Sequence, residues 1–334
     1  MSSLERFYRG KNVLVTGAGG FIGSHLAEAL VGAGANVTAM IKYGSSSHWG
    51  NLEYASVAAK KSMEVVSGNV EDSDFVTSVV KGKDVVFHLA ALIAIPYSYL
   101  APRSYVRTNV EGTLNVAEAA RRLGTARVVH TSTSEVYGTA LREPIDEDHP
   151  LQGQSPYSAS KIGADKIAES YYRSFGTPIV TLRPFNTFGP RQSARAFIPT
   201  IISQALTREV IELGALDPMR DMTFVSDTVN GFLAAGAATG VAGQTINLGT
   251  GVTASIGEFS DIILKLMKSS KKIVQDPKRL RPADSEVFKL VSDNSKAKQL
   301  LDWSPTTSVE DGLKATIEFV EANIKQYRPD IYNV

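Results

Sequence analysis

Short runs of β-branched residues alternating with longer stretches of helical period constrain this chain more than any other feature. The runs fall at residues 13–16, 36–41, 63–66, 85–89, 127–131 and 179–182. Between the first two, Phe21, Ile22, His25, Leu26, Ala29 and Leu30 share one helical face, and Phe75, Val76, Val79 and Val80 share another further on. Gly34 supplies a stop after the first helix and Asp72 a cap before the second. Unbroken apolar strands separated by helices are the pattern of a parallel sheet covered on both faces. The expectation is an α/β fold, a Rossmann-type doubly wound parallel sheet. Beyond residue 184 the rhythm loosens into proline- and glycine-punctuated loops. Helical period returns at 198–207, 227–238, 256–267 and 309–323, which predicts a smaller α/β lobe.

The segment Thr16-Gly17-Ala18-Gly19-Gly20-Phe21-Ile22-Gly23 stands between strand one and helix one. In that position Gly17 permits a tight turn, Gly20 lets the backbone approach a pyrophosphate, and Gly23 lets helix pack on strand. The helix N-terminus then offers free N–H groups and the positive end of its dipole. We therefore expect residues 1–183 to form an NAD(P)-binding domain and 184–334 mainly a ligand lobe. A typical NAD site ends strand two in an acid that holds the ribose 2′-hydroxyl. Here the strand ends Ile41-Lys42-Tyr43, and Lys42 could face a 2′-phosphate or only water, so NAD and NADP both stay open. Asn69 and Val70 follow strand three, where the adenine would lie. Leu89, Ala90 and Ala91 follow strand four, where the chain passes under the cofactor.

Composition narrows the rest. With 334 residues, 43% of them hydrophobic, the chain can bury a large core. Thirty-five basic residues against thirty-four acidic ones leave no field to collect nucleic acid or an anionic membrane. The absence of cysteine excludes disulfides, thiolate metal sites and a cysteine nucleophile, and the five histidines lack ligand spacing, so no metal is expected. Residues 1–10 are polar and no run approaches membrane-span length, which predicts a cytoplasmic protein.

Tyr157 and Lys161 lie four apart in a helical stretch, so the ammonium can sit beside the phenol, and no other tyrosine is followed this way. A phenol with a pKa of roughly 10 must be lowered by several units to act as a base at neutral pH. A lysine and a cationic nicotinamide ring both push that way. At the end of strand five, Thr131-Ser132-Thr133-Ser134-Glu135-Val136-Tyr137-Gly138 gathers hydroxyls and a carboxylate at the edge where such sheets hold ligands.

Glycine cradle, serine/threonine run and the Tyr157–Lys161 helix together resemble the extended short-chain dehydrogenase/reductase family over nearly the whole chain. Downstream, Arg183-Pro184-Phe185-Asn186, Gly189-Pro190-Arg191, Arg220-Asp221, Asp227, Asn247-Leu248-Gly249 and Arg281-Pro282 resemble that family's nucleotide-sugar lobe. The resemblance implies a nucleotide-sugar substrate and a tightly held NAD or NADP regenerated in each cycle. Tyr157 would take the proton of a sugar hydroxyl, Lys161 would tune it and hold the nicotinamide ribose, and Thr133 would bond the reacting oxygen. Asn109 joins the cofactor contacts. Asn186, Phe197, Arg191, Arg220 and Arg281 join the substrate contacts, the arginines as forked cations for a diphosphate. The helices at 104–123 and around Tyr157 would pair across a two-fold axis as a homodimer.

Glu135 selects among the family's reactions. A 4-epimerase oxidises C4 and reduces it from the other face, and has little use for a carboxylate there. A 4,6-dehydratase needs a base for the C5 proton, acidified by the C4 ketone, while water leaves C6. Glu135 stands where the family's dehydratases carry that base. Ser134 stands where the dTDP-glucose dehydratases place an aspartic acid, so the Thr133-Ser134-Glu135 run is nearer the GDP-mannose dehydratases. The wider string, including residues 91–99, 150–157 and 191–196, most resembles the N-acetylglucosamine 4,6-dehydratases of legionaminic acid synthesis. A UDP-hexose 4-epimerase, a UDP-glucuronate decarboxylase and a non-catalytic NAD(P)-sensing protein are the alternatives.

Overall fold

The structure is a computed structural model and describes residues 1–280, 282 and 285–328. Its large sheet is built from β1 (Asn12–Thr16), β2 (Asn36–Lys42), β3 (Met63–Gly68), β4 (Val85–His88), β5 (Arg127–Thr131) and β6 (Ile179–Pro184). Each of the six runs read from the sequence is one of these strands. A seventh member, Thr245–Leu248, returns late in the chain to pair in parallel with β6, giving the order 245–248, β6, β5, β4, β1, β2, β3. A division at 183/184 therefore does not follow the sheet, because residues beyond 184 complete it.

Successive strand residues point to opposite faces. Val13, Val15, Val37, Ala39, Phe87, Val129 and Val180 enter one buried cluster. Leu14, Met40, Val86, Val128 and Ile179, alternating with them, enter the other. Both faces are covered, so the strands are apolar without a polar alternation. Each fully buried side chain of this kind contributes about 1.5–3 kcal/mol.

The helices that matter for the site are α1 (Phe21–Gly32), α2 (Ser73–Val80), α3 (Gly112–Leu123), α4 (Pro156–Phe175), α5 (Phe197–Thr207) and α6 (Val225–Ala237). Asp72 caps α2, accepting from the backbone of Asp74 and Phe75, and Gly34 follows the end of α1 with φ +81°. Helix α6 packs against α1, and Trp303 joins the same core while donating from Nε1 to the Asp227 carbonyl at 2.8 Å. The smaller lobe centres on Met219–Phe224, flanked by Asn186–Phe188, Thr253–Ser255 and Lys289–Leu290. Its own core includes Phe188, Ile198, Ile201, Met222, Phe259 and Leu313. Among the described residues no helix is long and apolar enough to cross a membrane.

Candidate active site

Strand order reverses between β1 and β4, and the carboxyl ends of these strands open there, where doubly wound sheets bind ligands. Thr16 stands opposite both Met40 and His88 in the ladder. Its hydroxyl accepts from the backbone N–H groups of Leu89 and Ala90, each at 3.1 Å, pulling the chain after β4 across the glycine turn. Gly17 sits at φ +71°, and a Cβ there would lie 2.8 Å from Ala90 N. A Cβ on Gly23 would come within 2.3 Å of the Gly17 carbonyl oxygen. Gly20 is the N-cap of α1 and gives no side-chain cap, leaving that helix end to a ligand. This open, Cβ-free cradle fits a dinucleotide pyrophosphate, with the half-buried Phe21 and Ile22 on the helix's first turn.

Around it, Lys42 is exposed at the end of β2, Asn69 is exposed, Val70 is buried in the core, and Ala91 is half-buried. Asn109 is 1% exposed and lies in a π-helical stretch, Val106–Glu111, just before α3, an irregularity common at functional sites. Its Oδ1 accepts from Leu92 N at 2.8 Å, and its Nδ2 donates to Leu92 O at 3.0 Å and Ser160 Oγ at 2.9 Å. Asn109 thereby fastens the chain beyond β4 to α4.

Helix α4 is started by Ser155, whose hydroxyl accepts from Ser158 N, with Pro156 at the first position. It carries Tyr157 and Lys161 into the interior, 7% and 4% exposed. Burial pushes the Tyr157 phenol well above its ordinary value, and a side-chain hydrogen bond with Thr133 acts against this. Burial also brings Lys161 down to about 8, opposed by the charge of Asp165. Nζ of Lys161 donates to the Thr131 carbonyl at 2.5 Å. Thr133 caps the short turn Ser134–Tyr137 by accepting from Glu135 N at 3.2 Å. Ser134 is buried, Glu135 is half-buried, and the negative charge of Glu135 is near enough to disfavour a phenolate at Tyr157. Thr133 thus stands between the phenol of Tyr157 and the backbone of Glu135.

The residues expected in the lobe are placed unequally. Asn186 lies next to the end of β6, and its Oδ1 is buried with no partner among the described residues, a group that a polar ligand would satisfy. Phe197 begins α5 and its ring lies 5.9 Å from that of Phe259. Arg220 is buried, donating from Nη1 to the Met219 carbonyl at 3.0 Å and pairing through Nη2 with Glu286 at 3.1 Å. Arg281 falls outside the described residues. Arg191 turns away from the lobe. At φ +69°, it reaches α1, where Nη2 meets Glu28 at 2.6 Å and Nη1 meets Ser24 Oγ at 3.4 Å. Its carbonyl accepts from Asn51 at 3.0 Å, and the Pro190 carbonyl from His25 at 2.9 Å. The turn at 189–191 clasps the cradle helix in this structure, through the Glu28 pair that a diphosphate grip by Arg191 would have to displace.

A sheet of this winding, with a tyrosine and a lysine buried one helical turn apart above its carboxyl edge, is the build of an extended short-chain dehydrogenase/reductase. The chain belongs to the GDP-mannose 4,6 dehydratase family, whose model matches residues 14–316. A UDP-glucose 4-epimerase of Mycolicibacterium smegmatis is 35% identical over 312 residues, 92% of this chain and 97% of the relative. A dTDP-glucose 4,6-dehydratase of Actinoplanes sp. is 32% identical over 322 residues, 93% of this chain and 98% of the relative. Among solved structures, a dTDP-glucose 4,6-dehydratase from Streptomyces venezuelae with NAD bound superposes with a TM-score of 0.86 and 29% identity, covering 95% of this chain and 99% of the other. The chain is an enzyme of the nucleotide-sugar dehydratase and epimerase kind.

Asp165 was not among the expected site residues. The four-residue step from Tyr157 to Lys161, taken once more, reaches it, and an acid one turn beyond a buried lysine was the available signal.

Proposed function

We propose that this chain is an NAD-dependent 4,6-dehydratase of a nucleotide-activated sugar, NDP-N-acetylglucosamine or a related NDP-hexose. The observation that carries the reading is Glu135, a half-buried carboxylate on the turn after β5 whose charge is felt by Tyr157 and whose backbone N–H donates to Thr133, the residue bonded to the phenol. NAD is favoured because the related Streptomyces venezuelae dehydratase carries it. Gly17, Gly20 and the first turn of α1 would hold its pyrophosphate, and Lys161 its nicotinamide ribose. When bound, the nicotinamide would supply the acceptor for hydride from C4 and the donor of hydride to C6.

The chain's own residues handle the protons. Tyr157 removes the proton of the C4 hydroxyl, with Thr133 bonded to the reacting oxygen and Lys161 stabilising the phenolate. Glu135 then takes the C5 proton and delivers it to the departing C6 hydroxyl, which leaves as water; with hydride restored to C6, C5 takes a solvent-derived proton through Glu135, and Tyr157 releases the C4 hydroxyl proton to solvent. Asn186 and Arg220 bind the substrate's polar and diphosphate groups. Two such chains assemble through α3 and α4, on which Leu114, Leu123, Tyr172 and Phe175 are exposed in the single chain. Light scattering that finds a monomer at micromolar concentration refutes that assembly.

A 4-epimerase is the second reading, favoured by the 35% identity to the Mycolicibacterium smegmatis enzyme. Incubation of UDP-, GDP- and dTDP-linked sugars in heavy water, followed by mass spectrometry, separates the two. A product lighter by one water with deuterium at C5 supports the dehydratase and names the nucleotide. An isomer of unchanged composition supports the epimerase. A Glu135→Gln variant is expected to keep C4 oxidation while losing elimination by about 10²–10⁴-fold.

A further inference from the structure

Asp165 follows Lys161 by four residues as Lys161 follows Tyr157, so three ionisable side chains share one face of α4. All three are buried. The Asp165 carboxylate accepts from Ser132 Oγ at 2.8 Å and His130 Nε2 at 3.1 Å on β5 and its end. It also accepts from Arg183 Nε and Nη2 on β6, at 3.2 and 3.0 Å. Arg183 donates in turn to the Tyr137 hydroxyl at 2.9 Å and stands 4.9 Å from that ring's centre. A buried ion pair of this kind is a poor way to hold a helix on a sheet, since apolar side chains of similar volume do so as well or better. What the pair adds is charge, placed one turn below Lys161.

We propose that Asp165 is a positioning residue for the reaction: its carboxylate, fixed by Ser132, His130 and Arg183, sets a negative charge one helical turn beyond the Lys161 ammonium that the Thr131 carbonyl holds, and Arg183 sets how much of that charge the lysine receives. The inference rests on Tyr157 and Lys161 being the proton-handling pair.

The Asp165 charge supports the Lys161 ammonium and, at longer reach, disfavours a phenolate at Tyr157, so its effect on the reaction runs through the lysine. Burial opposes ionisation of Asp165, yet the His130 hydrogen bond and the charges of Arg183 and Lys161 bring it to about 2. On the lysine, burial dominates and Asp165 is the charge that resists it. The other ionisable groups around the face are Tyr157 and Tyr105, Glu135, Tyr137 and the histidines of β4 and β5. Burial drives His88 and His130 below their ordinary value, so both are neutral. Asp165 is thus the charge that acts on Lys161, and Arg183 bears on the lysine through its hydrogen bonds to that carboxylate.

The experiment titrates the holoenzyme in two ways, by the ¹³C signal of Lys161 Cε, assigned by its loss in Lys161→Ala, and by the pH profile of sugar-dependent NAD reduction. Asp165→Asn is expected to lower the Lys161 midpoint and the alkaline limb of the profile by about one unit, a tenfold change in proton affinity. Arg183→Gln is expected to raise both, and Asp165→Glu to restore the wild-type profile. A uniform loss of rate with unmoved midpoints, or shifts in the same direction for both variants, overturns the proposal. If Asp165→Asn does not fold, Arg183→Gln decides: an upward shift supports it, and no shift or a downward one refutes it. Retention of full activity by Tyr157→Phe would instead refute the underlying pair, while the Lys161 signal still reports on Asp165.

Discussion

Lys161 is held from both sides of the helix–sheet boundary: it rides on α4, and its Nζ donates to the carbonyl of Thr131 at 2.5 Å, the last residue of β5. The strand end therefore fixes where the ammonium stands relative to Tyr157, and two residues further on it presents Thr133 to the phenol. Charge and hydrogen bond reach Tyr157 from a single rigid source. Because burial pushes the phenol upward, both are required to make it a base.

Tyr157→Phe removes the proton acceptor and keeps the ring's packing against Tyr105, 6.2 Å away. The expected loss in kcat is about 10²–10⁴-fold, with dinucleotide affinity little changed. Stopped-flow absorbance of NAD reduction together with a fluorescence titration of NAD checks both.

Stability is expected to fall with acid in two windows. His25, beside Arg191 at the 189–191 turn, is lowered from 6.5 to about 4, chiefly by burial with the Arg191 charge adding to it. The unfolded chain thus binds that proton first, and stability drops as pH falls from about 6.5 through 4. Asp165 is lowered from 3.8 to about 2, so its contribution is present above 3.8 and lost as pH falls toward 2. Urea unfolding midpoints measured from pH 7 to 3 should show the first decline, and His25→Asn should flatten it.

What the sequence made legible follows from what each feature depends on. The six strands and the helices α1 and α2 were readable because both sheet faces are covered, so burial repeats along the chain as unbroken β-branched runs. The strand Thr245–Leu248 was read as part of the lobe, since pairing with β6 across more than sixty residues leaves no local mark. The Tyr157–Lys161 pair showed itself through helical spacing, and Glu135 through the family's pattern. At Arg191 the sequence leaves the partner undefined, because a forked cation after Gly-Pro reads the same whether it meets a phosphate or Glu28. In the structure Arg191 has a left-handed backbone and its guanidinium meets Glu28 on α1.

Gly23→Ala tests the packing of cradle helix on strand. Its Cβ would lie 2.3 Å from the Gly17 oxygen and 3.0 Å from the Gly17 carbonyl carbon, backbone atoms that cannot swing aside. Overpacking of this type costs about 1–3 kcal/mol, and the displaced turn is the one that would receive the pyrophosphate. Thermal unfolding should show a lowered Tm in the variant, together with weaker stabilisation by added NAD. A variant with wild-type Tm and NAD response would show that α1 can shift without cost.

Arg191 and Glu28 give a case where two roles predict opposite results. The guanidinium is 9% exposed, with Glu28 at 2.6 Å and the Tyr54 carbonyl at 3.2 Å, while Glu28 also accepts from Ser56 N at 2.9 Å. Substrate could recruit Arg191 only by breaking this set. If the clasp is its role, Arg191→Ala and Glu28→Gln each destabilise the fold, and the double variant loses less than their sum, with a coupling of about 1–3 kcal/mol. KM for the nucleotide sugar then stays within a few-fold of wild type. If Arg191 leaves Glu28 to grip the diphosphate, Glu28→Gln instead lowers KM by freeing it, and Arg191→Ala raises KM with little change in Tm. Urea denaturation and steady-state kinetics on the three variants decide between these outcomes, and the set of contacts that holds the guanidinium on α1 favours the first.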